Sequence, residues 1–222
     1  MSLLSRLFGG NRLYQALAHA YDASLIDRSM RYPPERFARC GDHVQIDPRV
    51  YISHPSRVAI GDWTTIQSQA AMHSIGGVHI GSYVGIGYRV MILSFEHRYR
   101  NAKTIPFDDG IFLQPVLVRD FAWVGWGSML MPGVEIGEGA IVSMGSVVTK
   151  NVPPLAIVLG NPATVVGYRS REHFEQCKAE GRVNPHRILQ VYGKFEELIP
   201  LMTQRRHARE LRELGLSDDQ GS

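Results

Sequence analysis

Aliphatic residues recur at every sixth position through the second half of the chain. They are Val118, Val124, Leu130, Ile136, Val142 and Val148. The residue two places before each is small or β-branched: Val116, Ala122, Ser128, Val134, Ala140 and Ser146. A period of six matches neither the 3.6-residue helical repeat nor two-residue strand alternation. It predicts a parallel β-helix of hexapeptide repeats, in which three short strands form each triangular coil and the aliphatic side chains stack inside.

The same register extends towards the N-terminus. It continues at Ile60, Ile66, Met72, Ile80, Ile86 and Ile92, and a weaker first coil is indicated by Cys40, Ile46 and Ile52. An all-β core of about five coils follows. Glycine directly follows five of the aliphatic residues, and we expect it to relieve backbone strain where the chain turns. These glycines are Gly61, Gly81, Gly87, Gly125 and Gly137.

The six-residue period is interrupted between Ile52 and Ile60, between Met72 and Ile80, and between Ile92 and Val118. Each interruption follows the third hexapeptide of a coil, so all three insertions are predicted to project from the same edge of the prism. The last, a loop over 94–115, lacks periodicity, and long loops of this kind are commonly functional. It carries His97, a titratable group presented by a rigid scaffold, although an ordinary surface histidine is the alternative.

Three segments are predicted: an N-terminal helical capping segment at 1–36, the β-helix at 37–168, and a helical tail at 169–222. The tail begins with a short helix over 171–178 and continues with an apolar stripe between Ile188 and Met202, typical of a packing face. The N-terminal segment is expected to cap the prism end, with a membrane-surface contact as the less favoured alternative. That contact would use Leu3, Leu4, Leu7 and Phe8.

Charge and composition exclude several classes of protein. The net charge is only +3 in 222 residues, without a basic stripe, so nucleic acid is not an expected partner. No apolar run is long enough for a transmembrane helix, and the first residues do not resemble a signal peptide, which predicts a cytoplasmic protein. Cys40 and Cys177 are far apart in sequence and are expected to be reduced thiols.

The segment from about Val58 to Tyr168 resembles the hexapeptide-repeat acetyltransferases of the maltose, galactoside and xenobiotic type. In style it is nearest to the O-acetyltransferases of polysaccharide and lipopolysaccharide synthesis. The resemblance is carried by His97 and by the motifs Pro115-Val116, Trp123-Val124-Gly125, Pro132-Gly133-Val134-Glu135-Ile136-Gly137, Gly145-Ser146-Val147-Val148-Thr149-Lys150, Val152-Pro153-Pro154 and Gly160-Asn161-Pro162-Ala163. It implies a left-handed parallel β-helix, a homotrimer with interface active sites, acetyl-CoA as co-substrate, no metal, and His97 as general base.

The resemblance also implies roles for other residues. Coenzyme contacts would come from Trp126, Met144, Thr149 and Lys150, although the family generally has smaller residues at the first two positions. The family's sugar-binding Asn and Asp correspond to Gln67 and Ile75 here, which does not support a galactoside acceptor. Gln67 and His73 are the candidate acceptor contacts. The predicted activity is acetyl transfer to a hydroxyl of a saccharide, as a small sugar or as a polysaccharide or lipopolysaccharide precursor.

Three alternatives remain open. A metal-dependent hydratase on this fold would need three histidines, and the spacing of His73, His79 and His97 does not fit that site. A non-catalytic β-helix assembly subunit would need neither a histidine on the loop nor the set of residues that the resemblance assigns to coenzyme binding. N-acetylation of an amino-sugar nucleotide remains the enzymatic competitor of O-acetylation, although the chain shows no nucleotide-binding domain. The acceptor itself is not specified by the sequence.

Overall fold

A computed structural model describes residues 32–183, which form a parallel β-helix with three sheets. Sheet A contains β1 (Arg39–Cys40), β4 (Val58–Ile60), β7 (Val78–Ile80), β12 (Val116–Val118) and β15 (Glu135–Ile136). Sheet B contains β2 (Gln45–Ile46), β5 (Thr65–Ile66), β8 (Gly85–Ile86), β13 (Trp123–Val124), β16 (Ile141–Val142), β18 (Ala156–Gly160) and β19 (Ala163–Tyr168). Sheet C contains β3 (Tyr51–Ile52), β6 (Ala71–His73), β9 (Met91–Leu93), β14 (Met129–Leu130) and β17 (Val147–Val148).

The predicted inward positions form the core. Parallel pairing places Ile66 opposite Ile86, Ile86 opposite Val124, and Val124 opposite Val142, so the aliphatic side chains stack from coil to coil. All twelve aliphatic positions from Ile60 to Val148 are at most 1% exposed, and the small residues two places earlier are buried beside them. The fold predicted from the six-residue period is therefore confirmed.

The solenoid continues beyond the five predicted coils. Val152 forms a parallel bridge with Ile136, and β18 pairs in parallel with β16, so a partial sixth coil follows. The two prolines, Pro153 and Pro154, lie at the corner between these elements. The chain then reverses, and β19 runs antiparallel to β18 at the end of sheet B.

We name the three corners of the prism by the sheets they join. The AB corner contains residues 41–44, 61–64, 81–84, 119–122, 137–140 and 153–155. The BC corner contains residues 47–50, 67–70, 87–90, 125–128 and 143–146. The CA corner contains residues 53–57, 74–77, 94–115, 131–134 and 149–151. A 3₁₀ helix, Pro55–Arg57, lies in the CA corner, and a second, Pro34–Arg36, precedes β1.

The five glycines that follow inward aliphatic residues do not have the role expected from the sequence. None of them is among the residues with positive φ. Instead, a methyl group at Gly125 would lie 2.6 Å from the backbone nitrogen of Met144, and one at Gly137 would lie 2.4 Å from that of Pro154. Glycine is required there because the backbones of successive coils approach too closely for a side chain.

The left-handed backbone conformation occurs two residues later in the corners. At the AB corner it is adopted by bulky residues, including Trp63, Tyr83 and Phe121, which is uncommon for aromatic side chains. The rings of Tyr83 and Phe121 stack with centroids 5.2 Å apart. Helix α1 (Arg171–Ala179) covers this pair, with the Phe174 ring centroid 5.8 Å from that of Phe121, and Ser170 caps the helix by accepting from the His173 N–H.

The helix predicted at the start of the tail is thus present. The N-terminal helix, its proposed membrane contact, and the apolar stripe from Ile188 to Met202 lie outside the described residues. Among residues 32–183, no helix has both the length and the apolar character required to cross a bilayer.

Candidate active site

The three insertions leave the prism at the same corner, as the broken period predicted. The longest contains an antiparallel hairpin made of β10 (Phe95–His97) and β11 (Ile111–Leu113), in which His97 pairs with Ile111. Buried Ser94 fixes the base of this loop, because its hydroxyl donates to the His73 carbonyl at 2.7 Å and accepts from the Gly76 N–H at 2.9 Å. The loop therefore begins from a rigid anchor on the CA corner.

An ion pair inside the loop holds its two sides together. Arg98 donates to both carboxylate oxygens of Asp108, with a shortest distance of 2.7 Å from Nη2 to Oδ2. The Lys103 and Gly110 N–H groups donate to the same carboxylate at 2.8 and 2.9 Å. Hydrogen bonding by Arg98, together with these backbone donors, lowers the pKa of Asp108 well below its usual range. The loop is consequently ordered by an anionic centre next to His97.

His97 itself is exposed and is held by aromatic rings. Its imidazole stacks on Phe107 with centroids 4.4 Å apart, and the edge of Phe95 contacts it at 5.5 Å. Within residues 32–183 its ring nitrogens form no hydrogen bond. An accessible imidazole on an ordered hairpin has the chemistry that a general base requires.

The four predicted coenzyme residues are divided between two corners. Trp126 and Met144 lie on the BC corner, whereas Thr149 and Lys150 lie on the CA corner beyond β17. All four are exposed. Thr149 and Lys150 thus share a prism edge with the loop that carries His97, two coils closer to the C-terminal end. Trp126 and Met144 are separated from that edge by the width of sheet C.

The outer face of sheet C between these corners is apolar. Its exposed side chains are Tyr51, Met91 and Met129, and Met131 and Met144 extend it at the two corners. Methionine side chains adapt to irregular surfaces and are common at binding faces. This apolar face extends from the CA corner, where the loop leaves the prism, to the BC corner.

The two predicted acceptor residues occupy different places. Gln67 is buried at the BC corner, and its side-chain oxygen accepts from Trp126 Nε1 at 2.9 Å and from the Tyr88 N–H at 3.1 Å. His73 ends β6 near the CA corner, where its ring lies 5.5 Å from that of Tyr51. The structure therefore brings Gln67 together with a predicted coenzyme residue and not with His73.

A groove of about 510 Å³, with Asn151 in its lining, lies on the sheet A side of the last coils. Arg119 and Glu135 form an ion pair of 2.6 Å at its wall, and Asn151 accepts from the Glu135 N–H at 2.9 Å. Within the described part of the chain, no cluster of three or more histidine, cysteine or acidic side chains has the arrangement of a metal site.

Sequence reasoning missed the groups that shape these surfaces. Phe107 stacks on His97, and Asp108 orders the loop, but neither occupies a position in the six-residue period. Tyr88 contacts the Trp126 ring edge-on at 5.8 Å and follows Gly87 at a corner position that the period marks. That corner position was a signal that could have been used for Tyr88, since Trp126 and Met144 occupy the same place in later coils.

The sequence of this chain is similar to those of known acetyltransferases. An Escherichia coli acetyltransferase named for colanic acid biosynthesis is 26% identical over 132 residues, covering 60% of this chain and 70% of the relative. The galactoside O-acetyltransferase of Escherichia coli is 26% identical over 161 residues, covering 72% and 77%. The chain is thus similar in sequence to acetyltransferases, and its β-helix is the architecture of the hexapeptide-repeat acetyltransferases among the solved structures. No family model matches the sequence.

Solved structures share the fold of this chain. A hexapeptide-repeat acetyltransferase from Vibrio cholerae superposes with a TM-score of 0.58 at 22% identity, covering 72% of this chain and 94% of the other. A galactoside acetyltransferase in complex with coenzyme A gives a TM-score of 0.52 at 26% identity, covering 59% and 66%. An N-acyltransferase from Bacillus cereus shares the fold with a TM-score of 0.54 at 20% identity, covering 68% and 96%. The fold thus occurs both in an acetyltransferase that binds coenzyme A and in an N-acyltransferase.

Proposed function

We propose that this hexapeptide-repeat acetyltransferase transfers the acetyl group of acetyl-CoA to a hydroxyl of a saccharide, with His97 as general base. The observation that carries the proposal is the ordered loop: it presents an accessible imidazole on the same prism edge as Thr149 and Lys150. The galactoside O-acetyltransferase relative and the coenzyme A complex of a neighbouring structure support the reaction class. Glycan synthesis is the context suggested by the relative named for colanic acid biosynthesis.

The reaction needs two proton transfers, one from the acceptor hydroxyl and one to the sulfur of coenzyme A. The acceptor hydroxyl is a weak nucleophile, so the imidazole of His97 removes its proton as the oxygen attacks the thioester carbonyl. A backbone N–H stabilises the negative charge that develops on the carbonyl oxygen. The carbon–sulfur bond then breaks, and the imidazolium returns the proton to the departing thiolate of coenzyme A. No covalent enzyme intermediate is required.

Coenzyme binding is proposed along the outside of the last coils, with Lys150 meeting a phosphate and Thr149 and Met144 contacting the pantetheine arm. The exposed apolar face of sheet C would be covered by a second copy of the chain in a homotrimer, so that the loop of one subunit faces the coils of its neighbour. Burial of this face would remove exposed methionine surface from water, which favours association. Sedimentation that shows a stable, active monomer would overturn this arrangement.

An acceptor screen with radiolabelled acetyl-CoA tests the function. The panel contains neutral saccharides, uronic-acid saccharides and amino sugars, and the product linkage is examined by mild base, which cleaves an acetyl ester but leaves an acetamide intact. The proposal predicts a base-labile product from a saccharide without an amine. A base-stable product formed only with amino sugars would show N-acetylation instead, and a lack of transfer to every acceptor would contradict the proposed function.

A further inference from the structure

The indole of Trp126 is fixed in a way that ordinary surface tryptophans are not. Trp126 is 49% exposed, yet its Nε1–H donates to the side-chain oxygen of Gln67 at 2.9 Å. Gln67 lies two coils away, 59 positions earlier in the chain, and is buried at the same corner. An exposed ring held by a buried acceptor has lost the rotamer freedom that exposed side chains usually keep.

Neighbouring residues prepare the place where the indole lies. A methyl group at Gly87 would be only 2.7 Å from Trp126 Cδ1, so the absence of a side chain at Gly87 lets the ring lie against the corner of the preceding coil. Tyr88 contacts the indole edge-on, at 62° and 5.8 Å. The Gln67 oxygen also accepts from the Tyr88 N–H, so one buried amide fixes both the indole and the backbone beside it.

The indole points away from the residues proposed to bind the coenzyme. The ring extends from its own coil towards Gly87 and Gln67, that is, towards the first coils. Met144 and Lys150 lie on the opposite, C-terminal side of Trp126. A flat apolar surface pointing away from the coenzyme residues is suited to the acceptor rather than to the pantetheine arm.

The surface also carries a cation at its rim. Arg89 places its guanidinium 5.0 Å from the centre of the Tyr88 ring, and its Nε donates to Gln69 at 3.0 Å. Aromatic faces bind the C–H-rich faces of sugar rings, and a guanidinium pairs with a carboxylate. The combination matches a saccharide that bears an acidic group.

We propose that Gln67 is a positioning residue that fixes Trp126 as one wall of the acceptor site, and that this wall receives an acidic saccharide. The proposal rests on the proposed acetyl transfer to a saccharide. It replaces the coenzyme contact expected for Trp126. Gln67 acts on the acceptor only indirectly, because its side-chain oxygen already accepts two hydrogen bonds, from the Trp126 indole and from the Tyr88 N–H.

Two variants of Gln67 and two of the tryptophans test the proposal. Gln67→Met keeps the length of the side chain but removes the acceptor, whereas Gln67→Glu retains an oxygen that can accept from the indole. Trp126→Phe removes the donor. Trp123→Phe is the matched control, because Trp123 is a similarly exposed tryptophan three residues earlier on the flat face of sheet B.

The position of the indole is read from the ¹⁵N-labelled indole N–H signals of the protein's three tryptophans. We expect the Trp126 signal to move towards that of a water-exposed indole in Gln67→Met and to stay near its parental position in Gln67→Glu. An unchanged signal in Gln67→Met, or an identical change in both variants, would overturn the positioning role.

The acceptor role is read from initial rates with the most active uronic-acid disaccharide of the panel and its neutral counterpart. We expect the KM for the acidic saccharide to rise about tenfold in Gln67→Met and Trp126→Phe, with the KM for acetyl-CoA unchanged and Gln67→Glu restored towards the parent. The control should match the parent, and the parent should favour the acidic saccharide.

Other outcomes contradict the inference in distinct ways. A rise in the KM for acetyl-CoA alone would assign the wall to the coenzyme, and a parental preference for the neutral saccharide would overturn the acidic acceptor. If the parent transferred acetyl to no saccharide, the proposed function and the acceptor role would both fail. The indole signals would still decide whether Gln67 positions Trp126.

Discussion

Gly125 and Gly127 form a matched pair that tests how the corners of this β-helix are built. Gly125 is in an ordinary backbone conformation, but a methyl group there would lie 2.6 Å from the Met144 nitrogen and 2.8 Å from the Val142 carbonyl oxygen. Gly127 has a φ of +66°, yet a methyl group there would meet nothing within 4 Å. Close approach and backbone conformation are thus separated at two positions in the same corner.

The expected costs of the two alanine substitutions follow from these environments. Gly127→Ala should reduce the free energy of unfolding by about 1 kcal/mol, the usual cost of a side chain in the left-handed region. Gly125→Ala forces backbone atoms of the next coil to move and strains the 2.7 Å hydrogen bond from the Gly125 N–H to Val142. We expect a loss of about 3 kcal/mol from overpacking and a weakened ladder.

Urea unfolding of the two variants and the parent, at one protein concentration, measures both costs. A single concentration is needed because association would contribute to the apparent stability. A loss for Gly127→Ala equal to or larger than that for Gly125→Ala would refute the reasoning. It would show that positive φ, rather than the spacing of the coils, selects glycine at these corners.

Three further predictions concern the loop and the coenzyme. Lys150→Ala should raise the KM for acetyl-CoA roughly fivefold at low salt, with kcat unchanged. The control is Arg57→Ala, which removes an exposed cation at the same corner in the first coils and should leave this KM unchanged. Equal KM values for Lys150→Ala and the parent would contradict the phosphate contact. Asp108→Asn should lower kcat about 10- to 10²-fold and expose the loop to trypsin, while the urea midpoint of the coils stays constant; a protease-resistant loop would contradict this. The folded-state pKa of Asp108 is lowered by Arg98 and by backbone donors, so the carboxylate's contribution is complete above the unfolded value of about 3.9 and is lost only as the pH falls through the lower folded value. Hydrogen exchange in the loop, corrected for intrinsic rates, should therefore be the same at pH 8 and pH 5, and faster exchange at pH 5 would contradict the assignment.

The periodic part of the fold was predictable because it depends on one repeated requirement. Each coil must bury its aliphatic residue against the next, so Ile66, Ile86 and Val124 are recognised by spacing alone. The corners obey different requirements. The period marks Gly125 but does not distinguish close approach from positive φ, and the aromatic residues that adopt positive φ, such as Tyr83 and Phe121, contradict ordinary expectation.

The candidate site was predicted partly from the period and partly from the family resemblance. The period marked His97 as a candidate because it lies where the longest insertion leaves the prism, whereas its role as general base and the coenzyme residues were implied by the resemblance. Its contact with Phe107, and the ion pair between Arg98 and Asp108, arise within a loop that has no repeat and therefore no sequence signal. The hydrogen bond between Gln67 and Trp126 joins residues from different coils, and a side-chain contact of this kind follows from three-dimensional packing rather than from spacing.

The central claim is that His97 removes the proton of the acceptor, and the steady-state rate of its variants tests that claim most directly. His97→Ala and His97→Asn are compared with the parent and with His79→Asn, which changes an exposed histidine on the outer face of sheet A. A positioned base contributes about 10² to 10⁴ in rate, so kcat should fall by that factor in both His97 variants while acetyl-CoA binding persists.

The pH dependence completes the measurement. A general base acts only in its unprotonated form, so the parental rate should fall towards low pH, and the His97 variants should lose that acid limb. The control should keep both the rate and the limb. If His97→Asn acetylates the acceptor at a near-parental rate, or retains the same acid limb, His97 is not the general base and the account of the site is wrong.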